Sequence, residues 1–129
     1  LRSVEIHEII NHFYGVIALD KNDKLRNFTI IPKLTPVPCG KTFSIILGHD
    51  GQDSVRLRVT QSLVEETDPD ETTVVWKGSM PVDPAVSKKG DRIDVTYSYT
   101  EGELMKCSFV YERTGERVIV DLDEELRNQ

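Results

Sequence analysis

Residues 42–61, TFSIILGHDGQDSVRLRVTQ, decide the fold class of this chain. An apolar run, FSIIL, contains β-branched residues and is followed by a run of turn-forming residues, GHDGQD. The segment after it alternates branched aliphatic residues with arginines: Val55, Leu57 and Val59 against Arg56 and Arg58. A shift of one residue would bury both arginines, so the register of this strand is well specified. The pattern predicts a β-hairpin with one apolar face.

Other short segments along the chain have the same strand-like composition. They lie at 4–9, 14–19, 27–31, 73–76, 92–100, 104–112 and 117–122. Polar turns separate most of them, and the proline-rich connection at 32–38 cannot donate regular ladder hydrogen bonds. No segment before residue 123 has a sustained helical period. We predict an all-β fold, an antiparallel β-sandwich of about eight strands over residues 1–122, without a helical lid.

The acidic tail at 123–129 has its acids where the first turn of a helix favours them. It is therefore interpreted as the possible start of a helix that the chain does not complete. The chain begins at Leu1 without a methionine, which favours a segment of a longer protein.

Length and charge narrow the classes of function. The chain has 129 residues and a net charge of −6, enough length for one domain with its own core. The negative balance argues against a nucleic-acid-binding surface, because such surfaces neutralise phosphates with basic residues. No run approaches the roughly 18 apolar residues of a membrane span, and residues 1–10 lack the apolar core of a signal peptide. We expect a cytoplasmic protein that contacts neither nucleic acid nor membrane.

Catalytic and metal-binding motifs do not emerge from the sequence. The three histidines, His7, His12 and His49, follow no metal-ligand or general-base pattern. The two cysteines, Cys39 and Cys107, form no CxxC unit, which favours free thiols, with a disulfide as the alternative. We therefore expect no enzyme, no metal and no cofactor in this domain.

An ordered set of motifs along the chain resembles one family. The set comprises Phe13-Tyr14-Gly15-Val16, Thr29-Ile30-Ile31-Pro32, Phe43-Ser44, Asp50-Gly51-Gln52, the segment at 54–61, Ile93-Asp94-Val95-Thr96-Tyr97, Gly102-Glu103-Leu104 and Thr114-Gly115-Glu116. It is similar to the β-sandwich substrate-binding domain of the 70-kilodalton heat-shock chaperones of the DnaK type, over about residues 8–122. The resemblance implies a chaperone domain in which loops at one end of the sandwich hold an extended hydrophobic segment of an unfolded polypeptide.

Carried over position by position, the resemblance implies ten peptide-binding residues. The first substrate-contacting strand and its arch correspond to Val16, Ala18 and Leu19, and the opposite strand and arch to Phe43, Ser44 and Ile46. The pocket corresponds to Val55 and Leu57, with Ile93 as its floor and Gln52 as the polar residue before it. Periodicity alone favours plain sandwich core for the aliphatic members of this set.

The resemblance also implies partners. Family members have an ATP-hydrolysing domain before this domain and a helical lid after it, so ATP would be bound by a separate domain, and co-chaperones would act on the whole protein. An acid and a base near the loops hold the lid in that family, and Asp50 and Lys88 are the candidates here. In addition, an open cleft or an exposed edge strand can bind a second copy of the chain, so we also expect self-association.

Two alternatives stay open. One is a structural or docking sandwich without peptide cycling, which predicts that Phe43, Val55 and Ile93 are buried in a filled core. The peptide-binding hypothesis instead needs an open apolar cleft bounded by those three residues. The other alternative is an enzyme whose residues converge only in space, which requires clustered titratable groups with shifted pKa values.

Overall fold

The computed structural model describes residues 9–100 and 105–122, which form eight β-strands and one short 3-10 turn. The strands are β1 (Phe13–Leu19), β2 (Leu25–Ile31), β3 (Cys39–Ile46), β4 (Ser54–Ser62), β5 (Thr73–Pro81), β6 (Arg92–Tyr99), β7 (Met105–Tyr111) and β8 (Arg117–Asp121), and the 3-10 turn is at Pro69–Glu71. The predicted strand at 4–9, apart from Ile9, and the predicted tail at 123–129 lie outside the described residues.

The strands form two antiparallel sheets of four. One has the order β2-β1-β4-β5 and is called the first sheet here; the other has the order β3-β6-β7-β8 and is called the second sheet. The prediction of an antiparallel β-sandwich of about eight strands is confirmed. β2 and β3 are edge strands at one side of the sandwich, and β5 and β8 are the edge strands of the other side.

The predicted hairpin at 42–61 is wrong. Its two segments are strands, but β3 pairs with β6 in the second sheet, whereas β4 pairs with β1 and β5 in the first. The intervening residues 47–53 cross from one sheet to the other. A polar turn between two apolar strands is compatible with either a hairpin or a crossing, because both leave one face of each strand on the core.

The fifth strand is longer than the sequence pattern predicts. β5 continues past Trp76 to Pro81, through Gly78, which lowers local β-propensity. Its register with β4 is continuous from Ser54↔Pro81 to Val59↔Trp76. Pairing with a well-specified neighbour therefore extends the strand where local composition favours a loop.

The core lies between the two sheets. It consists of the apolar side chains that alternate with polar ones along the strands. Val55, Leu57 and Val59 of β4 and the inward side chains of β6 are buried. Aromatic rings fill the centre, with Phe109 stacked on Trp76 at a centroid distance of 5.8 Å. Burying each large aliphatic side chain contributes about 1.5–3 kcal/mol, so this interface dominates stability.

A buried hydrogen bond ties the two sheets together. The hydroxyl of Tyr97, a fully buried residue of β6, donates to the carbonyl oxygen of Gly15 in β1 over 2.7 Å. Burial, together with the nearby Cys107 thiol, raises the pKa of Tyr97 well above its ordinary value. The phenol therefore stays protonated and acts as a donor across the core.

Asp91, which precedes β6, is the centre of a charged network that joins a loop to the β7–β8 turn. Its carboxylate accepts from the Tyr111 hydroxyl at 2.6 Å, from Nε and Nη2 of Arg113 at 2.7 and 2.6 Å, and from the Lys88 main chain at 3.0 Å. These donors, Arg113 first and Tyr111 second, hold the pKa of Asp91 far below its ordinary 3.8. We call this set the Asp91 network.

This network predicts a defined pH dependence. Because the folded pKa of Asp91 is depressed, its contribution to stability is complete well above pH 3.8 and is lost as the pH falls below that value. We expect Asp91→Asn to lower the urea midpoint at pH 7 and to have a smaller effect at pH 3. Asp53→Asn is the matched control, because the side chain of Asp53 has no hydrogen bond or ion pair within residues 9–100 and 105–122. An equal deficit of Asp91→Asn at both pH values would contradict the assignment.

Candidate functional site

An open apolar cleft lies at one side of the sandwich, between the β1–β2 turn and β3. Its volume is about 500 Å³, within the range of roughly 300–1,000 Å³ of small-ligand pockets. The cleft is lined by Leu19, Asp20, Lys21, Asn22, Phe28, Phe43, Ser44, Ile45 and Ile46. Apolar side chains of both sheets contribute, so the cleft is a product of sheet packing and not of one loop.

Two stacked aromatic rings link the sheets at this cleft. Phe28 of β2 and Phe43 of β3 are 5.1 Å apart between ring centroids, with an interplanar angle of 28°. Both are half-buried and pack against the edge of the core. Beside them Ile46 is 36% exposed, a large apolar side chain at the end of an edge strand. The cleft thus has a packed aromatic base and an accessible aliphatic wall.

The opposite wall is a turn organised by Asp20. Its Oδ1 accepts from the main-chain N–H groups of Asn22 at 2.8 Å and Lys24 at 3.0 Å, and its Oδ2 lies 3.4 Å from Nε of Arg26. The Lys24 hydrogen bond is the main cause that holds the pKa of Asp20 below its ordinary value. The carboxylate is therefore charged at neutral pH and keeps the turn in one conformation beside the apolar groups.

The edge strands β3 and β2 at this side of the sandwich differ in their hydrogen bonding. Within the described residues β3 forms its ladder with β6 alone. On β2, the main-chain N–H of Asn27 donates to Thr67 and its side-chain amide donates to Glu66, both at 2.8 Å. An exposed strand edge presents main-chain donors and acceptors to an incoming strand. Such groups are therefore available at β3, beside the apolar wall.

The ten residues that the resemblance implies fall into two groups in the structure. Four of them line the cleft: Leu19, Phe43, Ser44 and Ile46. Five others are buried in the core: Val16, Ala18, Val55, Leu57 and Ile93. The described cleft is bounded by Phe43 but by neither Val55 nor Ile93. The structure therefore brings Leu19 together with Phe43, Ser44 and Ile46 at one cleft, and it places the expected pocket residues in packed core.

Gln52, the tenth residue, lies away from the cleft. Its side-chain Nε2 donates to the main-chain carbonyl oxygen of Ser54 at 2.7 Å, and its main-chain carbonyl oxygen accepts from the hydroxyl of Ser87 at 2.8 Å. These bonds hold the connection between β3 and β4, so the geometry gives Gln52 a positioning role in that loop.

Sequence reasoning missed part of the cleft. Phe28 and Ile45 line it, as do the turn residues Asp20, Lys21 and Asn22. Phe28 lies in the predicted strand at 27–31, but its partner Phe43 is distant in sequence and is reached only through packing of the two sheets. The one local signal for the turn was its polar composition, which does not indicate which groups it faces.

Asp50 and Lys88, the candidates for the acid and base that would hold a lid, each contact another group in the structure. Asp50 accepts from the main-chain N–H of Lys89 at 2.8 Å, and Nζ of Lys89 lies 3.2 Å from Asp23 in the β1–β2 turn. The main-chain N–H of Lys88 donates to Asp91. An ion pair thus connects two loops near the cleft, but both partners are more than half exposed and it contributes little.

The Asp91 network brings together three titratable groups with shifted pKa values, those of Asp91, Tyr111 and Arg113. It borders a pocket of about 540 Å³ lined by Gly90, Asp91, Arg92, Glu112 and Arg113. The carboxylate of Asp91 already accepts four hydrogen bonds, three at Oδ2 and one at Oδ1, as many in total as a carboxylate usually accepts. A carboxylate so saturated and so acidic is a poor proton acceptor, and its geometry is that of a structural link.

The described part of the chain has two cysteines and no candidate metal site. Residues 9–100 and 105–122 contain no group of three His, Cys, Asp or Glu residues placed to hold a metal ion. Among the described residues neither cysteine forms a disulfide; Cys107 is buried in the core, and Cys39 is half-buried at the start of β3. In the same ranges no helix has the length and apolar character to cross a membrane.

Comparison of the chain with protein-family models and with curated proteins gives no match. The geometry of the cleft is therefore the main observation that bears on function.

Proposed function

We propose that this domain binds an extended apolar segment of another polypeptide in the cleft between the β1–β2 turn and β3. The observation that carries the proposal is an open cleft of about 500 Å³ with apolar walls from both sheets, next to an edge of β3 with which no other described strand pairs. Main-chain hydrogen bonds to such an edge tolerate many sequences, whereas the apolar walls favour an aliphatic side chain. This combination suits the holding of unfolded chains and also agrees with the resemblance to chaperone substrate-binding domains.

Affinity in such a site is modest. A leucine side chain that enters the cleft gains about 1.5–3 kcal/mol from burial, before the cost of ordering the peptide is subtracted. Any ATP-driven opening and closing, and any co-chaperone, would belong to domains beyond this one.

The test is fluorescence anisotropy of a labelled, leucine-centred heptapeptide titrated with the chain. We expect saturable binding that weakens about tenfold or more in Ile46→Asp, because a carboxylate on the apolar wall must be desolvated when the peptide binds. The matched control is Ile119→Asp. Ile119 is an exposed isoleucine on the edge strand β8, outside the cleft. We expect the control to retain affinity within about twofold.

Two results would contradict the proposal. The first is the absence of saturable binding by the folded parent chain. The second is an equal loss in Ile46→Asp and Ile119→Asp, which would indicate nonspecific adhesion to exposed apolar side chains.

A second candidate is a structural or docking sandwich that does not cycle peptides. The burial of Val55 and Ile93 in the core favours it, since this hypothesis expects those side chains to be packed. Phe43, which it also expects to be buried, is only half-buried and lines the cleft. The heptapeptide titration separates the two candidates, because a docking sandwich has no affinity for a generic leucine-centred peptide.

A further inference from the structure

A cluster of three cations occupies the outer face of the first sheet, on β4 and β5. Because Val55 and Leu57 of β4 point into the core, Arg56 and Arg58 point outward. The register places Arg58 directly opposite Lys77 and Arg56 opposite Ser79, so these side chains share one face. We call Arg56, Arg58 and Lys77 the basic surface.

The basic surface is an open groove whose cations form no ion pair with any acid in residues 9–100 and 105–122. A space of about 780 Å³ lies over it, bordered by the three cations and by Ser54, Val74, Gly78 and Ser79. Among the described residues, the ion pairs of this domain involve other cations, at Arg26, Lys89, Arg92 and Arg113. The cluster is notable in a chain whose net charge is −6.

Two features of the cluster act against stability. Like charges directly opposite each other across a ladder, as at Arg58 and Lys77, are destabilising. In addition, Nε of Arg58 is buried and has no hydrogen-bond partner within the described ranges. Burial, with the neighbouring Arg56 charge, lowers the pKa of Arg58. A buried donor without an acceptor is uncommon in proteins, and it adds to the cost of keeping these cations together in the absence of an anion.

The strand beside the cluster indicates which kind of anion fits. β5 is an edge strand, and within residues 9–100 and 105–122 it forms its ladder with β4 alone. A polypeptide that pairs with this edge places every second side chain on the face of Lys77. A lysine on an edge repels another basic strand but attracts an acidic one. Only a polypeptide matches both the main-chain edge and the charges.

We infer that the basic surface binds an acidic polypeptide segment in extended conformation, whose alternate carboxylates contact Arg56, Arg58 and Lys77. This segment would lie along β5, on different residues from the apolar cleft, so the inference does not depend on the proposed function. Nucleic acid is a poorer fit, because duplex binding relies on roughly 6–10 phosphate contacts and the surrounding protein is acidic.

The experiment is fluorescence anisotropy with a labelled peptide of about ten residues that alternates glutamate and threonine, long enough to follow β5. We expect saturable, salt-sensitive binding to the chain. The variant is Arg56→Gln with Lys77→Gln, and the matched control is Lys106→Gln with Arg117→Gln, two exposed cations of the second sheet. The first double variant should weaken binding about tenfold or more, and the control should stay within about twofold.

Two further peptides test the chemistry. Glutamine in place of glutamate should abolish binding, and proline in place of threonine, which keeps the charge but removes ladder donors, should weaken it about tenfold. The leucine-centred heptapeptide should bind the Arg56→Gln and Lys77→Gln variant as it binds the parent, so failure of one proposal leaves the other intact.

Three outcomes would overturn the inference. These are no binding of the glutamate peptide by the folded chain at low salt, equal losses in the two double variants, and full affinity of the proline peptide. The chain could also bind a DNA duplex or anionic vesicles more tightly than the glutamate peptide and lose that binding in the Arg56→Gln and Lys77→Gln variant. The ligand of the basic surface would then be that polyanion and not a polypeptide.

Discussion

Replacing Gly15 with alanine is expected to lower the free energy of unfolding by about 3 kcal/mol, because the site has no room for a side chain. A Cβ atom there would lie 2.6 Å from the carbonyl oxygen of Phe28 and 2.9 Å from the side-chain oxygens of Asn27 and Thr60. The latter two share a buried hydrogen bond of 2.5 Å. Gly15 also accepts the hydroxyl of Tyr97 from the other sheet. Movement of β1 therefore disturbs two buried polar contacts together.

The measurement is urea unfolding followed by the fluorescence of Trp76, the one tryptophan of the chain. Gly40→Ala is the matched control, also a glycine in a strand, where a Cβ atom would lie 3.9 Å from its nearest neighbour in Ser98. There we expect a gain of about 0.5 kcal/mol, because alanine restricts the unfolded chain more than glycine. If Gly15→Ala were as stable as the parent, the described packing of β1 on β2 and β4 would be incorrect.

Replacing Leu57 with alanine is expected to cost about 3 kcal/mol of stability and to leave peptide affinity unchanged. Leu57 is fully buried in the core between the sheets, so the truncation leaves a cavity. Ile46→Ala is the comparison, since this side chain is 36% exposed and lines the cleft. It should cost about 1 kcal/mol or less of stability, because little buried area is lost, and should weaken peptide binding.

Chemical denaturation and the heptapeptide titration together check this prediction. The titration is carried out at a temperature where the Leu57→Ala variant is folded, as judged by the Trp76 signal. A folded Leu57→Ala variant that loses peptide affinity as strongly as Ile46→Ala would place Leu57 in the binding pocket and not in the core alone.

The sequence could predict only part of the cleft. The residues that the resemblance assigned to the arches illustrate why. Leu19, Phe43, Ser44 and Ile46 were placed by their resemblance to a known motif order, and the structure brings all four to one cleft. Phe28 could not be placed there, because nothing local to a strand indicates which strand of another sheet faces it. For Val55 and Leu57, the same alternation describes a core face and a pocket wall.

The basic surface likewise could not be predicted from the sequence alone. The sequence shows Arg56 and Arg58 on the polar face of one strand, which by itself indicates a solvated face. The position of Lys77 opposite Arg58 follows from the β4–β5 register, and β5 was predicted to end before that residue. A cluster of charges from two strands is therefore visible only once the strands are paired.

The sequence by itself determined the fold class, most of the strand positions and the apolar face of each strand. These properties depend on a period of two and on local turn chemistry, which each segment carries alone. Only the tertiary structure decided that β3 and β4 belong to different sheets, which edges stay open and where the cleft lies. Strand partners are chosen by packing between distant segments, and many pairings satisfy the same local pattern, so this choice is not encoded in any one stretch.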